Sequence, residues 1–328
     1  TKAVMEKISV TQIPGFQIGH AQNLEAATGC TVVICEKGAV AGVDVRGGSP
    51  GTRETDALDP VNNRKEVHAV LLAGGSAFGL DAAGGVMRYL EEHRIGRDVE
   101  VTCVPNVSGA ILFDLKCGNA MVRPDAEMGY LACRNAGVLP LEEGSVGAGT
   151  GCTVGKTLGK THAMKGGIGT CAFRQGDLMV GAVIAVNCVG DICDRESGKL
   201  LAGVLQDGHP FPGGSEEIIV SSYQSTADFF SGNTVIGCVI TNAKLEKAQA
   251  KKLASVSHNG IARAVRPAHS VFDGDTLFTL CSGEVAANFD AVGILSAYAV
   301  EQAILQAVKK AASLGGYPSY QDVFVKSY

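Results

Sequence analysis

The run Ile168-Gly169-Thr170-Cys171-Ala172-Phe173-Arg174-Gln175-Gly176-Asp177-Leu178-Met179-Val180-Gly181-Ala182-Val183-Ile184-Ala185-Val186-Asn187-Cys188-Val189 is apolar at nearly every position on both sides of Gln175-Gly176-Asp177. A strand with one wet face alternates apolar and polar residues. Two strands apolar throughout, joined by a Gly-Asp turn, predict a hairpin inside a sheet covered on both faces. Helices on both sides of that sheet follow from it.

Outward from this hairpin, further strand-like runs lie at Cys30 to Cys35, Ala39 to Val45, Val67 to Ala73, Val99 to Val104, Thr234 to Thr241 and Thr276 to Cys281. Helical periodicity is present at Gly79 to Glu92, Ala126 to Ala136, Leu245 to Ala264 and Glu284 to Ala312. Strands and helices are interleaved, which predicts an α/β fold. The segment from Gln206 to Asn233 turns to Gly, Ser, Pro and polar residues and reads as an exposed connector. We treat the 328 residues as a single domain with this one internal boundary.

With 46% hydrophobic and 19% charged residues the chain can bury a large core. A net charge of -5 without a basic stripe excludes nucleic acid as the expected partner. Thr1 to His20 carries no apolar core of signal-peptide length, and no run reaches the roughly 18 uninterrupted apolar residues of a membrane span. The expectation is a cytoplasmic protein without a membrane partner. The 11 cysteines form no C-x-x-C pair and the seven histidines no metal spacing, so neither a metal nor a cofactor is expected.

The connector ends at Ser231-Gly232-Asn233-Thr234, where a strand begins. On its own this is an ordinary turn into a strand. It is also where a nucleophile can be made. The Thr234 hydroxyl can attack the Asn233 carbonyl, shifting the acyl group from nitrogen to oxygen, and water then resolves the ester. The freed α-amine has a reference pKa of about 7.7 to 8.0, so near neutrality it can take the hydroxyl proton and serve as base.

Other residues fit such a site. Asp273-Gly274-Asp275 sets two carboxylates at a strand entry, able to hold an ammonium and a hydroxyl; no EF-hand ligand series follows them. Asn187, at the end of an apolar strand, is a buried amide able to donate to an oxyanion. Lys156 closes the glycine-rich stretch from Gly147. Where a phosphate loop requires its first Gly this chain has Thr150, so the stretch reads as a turn bringing one lysine to a buried site. Gly74-Gly75-Ser76-Ala77-Phe78-Gly79 lacks the second Gly of a serine elbow, at Phe78, and reads as a turn with Ser76 capping the next helix.

Taken in order, Val45-Arg46-Gly47-Gly48-Ser49-Pro50-Gly51-Thr52-Arg53-Glu54-Thr55-Asp56, Gly74 to Leu80, Gly147 to Lys156, Asn233-Thr234 and Asp273-Gly274-Asp275 resemble the aminopeptidase and D-amidase/esterase family that includes the nylon-oligomer hydrolase. The resemblance covers nearly the whole chain. It implies a four-layer α/β/β/α sandwich of the N-terminal-nucleophile kind, shared with ornithine acetyltransferase. It further implies autocleavage into 1–233 and 234–328, and a homo-oligomer, a tetramer of processed heterodimers. Thr234 then stands as nucleophile, Asn187 as oxyanion donor, Lys156 as a charge near the Thr234 oxygen, and Asp273 and Asp275 as orienting carboxylates. The expected substrate is a small peptide or linear amide. Val104 to Asp114 is mostly apolar where aminopeptidases of the family carry a Glu-containing loop, and Thr replaces Ser as nucleophile; both look closer to the nylon-oligomer branch. The alternatives are an ornithine-type N-acetyltransferase on the same fold and a non-catalytic α/β binding protein.

Overall fold

The structure is a computed structural model that describes residues 5–225 and 232–326. Its ten main strands are β1 (Glu6–Ile8), β2 (Gln17–Asn23), β3 (Thr28–Val45), β4 (Thr52–Arg53), β5 (Val67–Ala73), β6 (Val107–Ile111), β7 (Gly167–Gln175), β8 (Leu178–Asn187), β9 (Thr234–Ala243) and β10 (Thr276–Val285). The helices are α1 (Ala82–Glu92), α2 (Ala126–Arg134), α3 (Gly214–Ser221), α4 (Lys247–Ala264) and α5 (Phe289–Lys310). The strands follow one path, β1-β7-β8-β9-β10-β3-β5-β6-β4, with β2 also paired to β3.

β3 makes this path into two layers. Its first half, to Ile34, pairs with β2 and β5, and its last six residues pair with β10. Between Ile34 and Ala39 the pairing is irregular, and Gly38 takes a φ of +76° there. Alternate residues of each strand then serve two cores. In β9, Ile236, Cys238 and Ile240 face the other sheet, where they meet Val33, Val70 and Leu72, while Val235 and Val239 face α4 and α5. In β5, Ala69, Leu71 and Ala73 face α1 and α2. The order is therefore helices, sheet, sheet, helices, the four-layer α/β/β/α sandwich expected.

The predicted hairpin is β7-β8, antiparallel in register from Gly167↔Val186 to Gln175↔Leu178. It is apolar throughout because one face lies on the second sheet and the other under α5. That helix comes very close: a Cβ at Gly169 would stand 2.1 Å from the Ala303 oxygen. By length and composition α5 could cross a membrane, but 13 of its residues are buried in the core against β7, β8 and α4. Asn288 starts it by accepting the N–H groups of Asp290 and Ala291, and Lys309 and Lys310 close its negative end.

Several elements depart from the sequence reading. Val99 to Val104 is not a strand of a sheet layer; Arg97–Asp98 and Cys103–Val104 form a small outlying hairpin, and Val101 at its turn is 89% exposed. Periodicity alone cannot register that no layer covers it. β6 passed unnoticed because Val107-Ser108-Gly109-Ala110-Ile111 is short and small-sided, yet it is buried at every position and pairs in parallel with β5. Ser76 does not cap the following helix, whose N-cap is Asp81; it is the first residue of a 3-10 turn opened by Gly75, with φ +84°. The connector contains α3, which is anchored where Ser215 donates its N–H and hydroxyl to the buried Asp191. Ser231 lies outside the described residues. The last helix begins at Phe289, since β10 runs on to Val285.

Candidate active site

β9 opens at Thr234 in the middle of the sheet, opposite Asn187 of β8. On its other side, Asn233 forms a bridge with Asp273, just before β10. Strand pairing alone thus brings Asn187, Asn233-Thr234 and Asp273-Gly274-Asp275 together, although they span almost ninety positions of the chain. All six are buried, and the side of Gly274 that lacks a Cβ faces Thr234.

The Thr234 hydroxyl donates to the carbonyl oxygen of Asn233, the residue before it. The same oxygen accepts the Gly274 N–H at 2.9 Å. Gly274 had no role in the sequence reading, because a backbone donor leaves no trace in residue identity. Space also demands glycine there: a Cβ would stand 2.8 Å from Thr234 Oγ1.

Asp275 ties the loop to both neighbours. Its Oδ1 accepts the Val235 N–H at 2.7 Å, and its Oδ2 accepts the His269 N–H at 3.0 Å and pairs with His269 Nδ1 at 2.8 Å. His269, passed over in the sequence for want of metal spacing, belongs to this network. Its ring meets His258 edge-on at 4.9 Å. Burial pushes His258 down to about 4, which leaves that ring neutral near neutral pH.

Asp273 is 1% exposed; its Oδ2 accepts the Ser270 N–H at 2.6 Å, and among the described residues its Oδ1 has no hydrogen-bond partner. Burial, and next the nearby charge of Asp275, push its carboxyl up to about 6. Arg46-Gly47-Gly48-Ser49 leaves the end of β3 and runs along this loop: the Arg46 N–H donates to the Asp275 oxygen and the Ser49 N–H to the Asp273 oxygen, both at 2.9 Å. A Cβ at Gly47 would stand 2.1 Å from the Asp273 oxygen, so the glycine pair at 47–48 is what lets two backbones touch.

On the Asn187 side, Lys156 Nζ donates to the Asn187 oxygen at 2.8 Å and to the Gly232 oxygen at 3.2 Å. Burial above all, with the Lys116 charge adding, pushes the ammonium down to about 8. The preceding glycine-rich stretch delivers it by a backbone route: Gly155 and Lys156 N–H groups donate to the Gly190 and Val189 oxygens, each at 3.0 Å. Asn187 Oδ1 accepts the Thr153 N–H at 2.9 Å, which orients the amide so that Nδ2 donates to the Phe113 oxygen at 2.8 Å and, at 3.4 Å, to that of Gly232. One carbonyl oxygen, that of Gly232, therefore sits between a lysine and a side-chain amide.

Lys156, Gly232 and Asn233 line a cleft whose walls include Phe113 and Tyr317. Within Val104 to Asp114, Val107 to Ile111 is β6, whose apolar character is that of a buried strand, and the residues just after it bring Phe113 and Asp114 to the cleft. Among the described residues no group of His, Cys, Asp and Glu is arranged to hold a metal ion. The cysteines are unpaired thiols, and burial pushes Cys152 up to about 12, which keeps it protonated beside the site.

Comparison with known proteins identifies the family and a shared fold. Residues 9–321 match the family model for peptidase family S58. The chain is 41% identical to an uncharacterised aminopeptidase of Mycobacterium leprae, over 96% of this chain and 94% of that one. It is 30% identical to the 6-aminohexanoate-oligomer endohydrolase of Paenarthrobacter ureafaciens, over 90% of this chain and 84% of the relative. In fold it is similar to the L-aminopeptidase D-Ala-esterase/amidase of Ochrobactrum anthropi, with a TM-score of 0.69 at 18% identity, over 94% and 88% of the two chains. The chain belongs to peptidase family S58 and is a hydrolase of amide bonds.

Proposed function

We propose that this member of peptidase family S58 cuts its own Asn233–Thr234 bond and then hydrolyses small peptides or linear amides through an acyl-enzyme on Thr234. The observation that carries the reading is the Asn233 carbonyl oxygen, which takes both the Thr234 hydroxyl and the Gly274 N–H. In self-cleavage Thr234 Oγ1 bonds to the Asn233 carbonyl carbon and gives up its proton to Asp273, whose Oδ1 is unpartnered among the described residues. Charge gathers on the carbonyl oxygen, stabilised by Gly274 N–H. The carbon–nitrogen bond breaks as the proton passes to the Thr234 nitrogen, leaving an ester and a free amine. Water cleaves the ester, freeing the Asn233 carboxylate and restoring the hydroxyl.

The mature site reuses these parts. The Thr234 amine takes the hydroxyl proton as Oγ1 attacks the substrate carbonyl, and passes it to the leaving amine. Asn187 Nδ2 and Lys156 Nζ stabilise the oxyanion, in the place the Gly232 oxygen holds in the intact chain. Asp275 holds β9, and Asp273 faces the new ammonium. Linear amides are favoured as substrates because two relatives act on a peptide end and a linear oligoamide by their names. A cytoplasmic tetramer of processed heterodimers completes the reading; light scattering measures the assembly.

Denaturing intact mass and amino-terminal sequencing of purified protein test it. The expected result is a piece beginning at Thr234 in wild type and an intact chain in Thr234→Ala. Both chains whole after long incubation would sink the self-processing reading. Product analysis with and without an amine acceptor separates hydrolysis from acetyltransfer of the ornithine type.

A further inference from the structure

The cleft beside Thr234 has a charge pattern that the proposed hydrolysis does not use. Lys116 and Lys160, both exposed, stand on its rim. Lys116 Nζ lies 5.8 Å from the centre of the Phe113 ring, and Lys160 Nζ 5.3 Å from that of Tyr317. Lys160 also donates to the Lys116 oxygen at 3.3 Å, which holds the two lysines on one rim. Asp114 is the acid of the lining, and it is 4% exposed and fully engaged. Its Oδ2 accepts the Thr28 hydroxyl and its Oδ1 the Gly75 N–H, both at 2.7 Å. Among the described residues, no carboxylate of this lining is left to face a ligand.

Phe113 connects this rim to Asn187 and to Gly232, the residue before Asn233. Its backbone oxygen accepts Asn187 Nδ2, and its ring lies so close to Gly232 that a Cβ there would stand 2.3 Å from Cδ1. In the intact chain Gly232, one residue before the acyl-side Asn233 of the cut bond, thus rests against the Phe113 ring, beneath Lys116. A substrate's acyl group occupying that place extends toward two ammonium groups. An ammonium at its far end meets like charge; a carboxylate meets opposite charge.

We infer that the enzyme selects linear amides whose acyl chain ends in an anionic group such as a carboxylate, read by Lys116 and Lys160, and selects against a free amine there. The inference rests on the proposed hydrolysis at Thr234 and names its substrate class.

Three matched p-nitroanilides test it on processed protein at low salt: glutaryl, valeryl and δ-aminovaleryl. The expected order of kcat/KM is glutaryl, valeryl, aminovaleryl, with the first exceeding the last by about tenfold or more, as for a charged substrate drawn to a cleft of opposite sign. Added salt compresses that ratio. Lys116→Gln with Lys160→Gln brings the ratio near unity, and Lys116→Arg with Lys160→Arg keeps it. Equal rates, or preference for aminovaleryl, overturn the proposal while leaving amide hydrolysis at Thr234 standing. Failure of processed protein to cleave any of the three overturns that hydrolysis and the proposal with it.

Discussion

The N–H of Gly274 points at the carbonyl oxygen of Asn233 from 2.9 Å, and the bond after that carbonyl is the one that precedes Thr234. The donor belongs to the loop entering β10 and the acceptor to the residue before β9, neighbouring strands that run parallel. A backbone donor held by the sheet needs no rearrangement when negative charge develops on its acceptor, which is what makes it effective in catalysis.

Self-cleavage should follow a bell-shaped pH profile. Asp273, pushed up to about 6, accepts a proton only when ionised, above that value. Lys156, held against the Gly232 oxygen one residue before the cut bond and pushed down to about 8, lends positive charge to the self-cleaving site only below that value. The rate should rise through the first and fall through the second. Processing followed by gel at a series of pH values checks it: Asp273→Asn should abolish processing, and Lys156→Arg should move the falling limb to higher pH because guanidinium stays charged. A flat profile between about 5 and 9 would refute both roles.

Gly274→Ala should slow maturation without unfolding the protein. The new Cβ, 2.8 Å from Thr234 Oγ1, crowds the threonine hydroxyl off its line to Asn233. A misplacement of this size costs on the order of a hundredfold in rate. Thermal unfolding near that of wild type, with processing at the wild-type rate, would contradict it.

Asn187→Ala should lower turnover by about 100- to 1,000-fold, the usual cost of one oxyanion donor. It also leaves the Thr153 N–H and the Phe113 oxygen without their partner, so stability should fall by about 1 to 3 kcal/mol. Steady-state kinetics on processed enzyme and a denaturant midpoint read the two effects separately.

His269 is predicted to position Asp275. In His269→Ala, Asp275 Oδ2 keeps the N–H of residue 269 but loses the ring, while Oδ1 keeps Val235. The loss of one charge-assisted hydrogen bond, about 1.5 kcal/mol, corresponds to roughly a tenfold fall. It should appear in kcat and leave KM unchanged, with His269→Gln, which retains a donor, recovering part of it. A change confined to KM would place His269 in substrate binding instead.

Residue identity was enough to locate the β7-β8 hairpin, the strand beginning at Thr234 and the side chains at 156, 187, 273 and 275, because side-chain chemistry and burial pattern are written locally. The tertiary structure alone decided how these parts meet. β3 carries Gly47 to the backbone of Asp273 and Gly48 to that of Val271, β6 places Phe113 under Asn187, and the entry to β10 aims the Gly274 N–H at Asn233. Such contacts join backbone groups that every residue type shares, across strands distant in the chain. Only the pairing of the sheet selects which of them come within hydrogen-bonding distance.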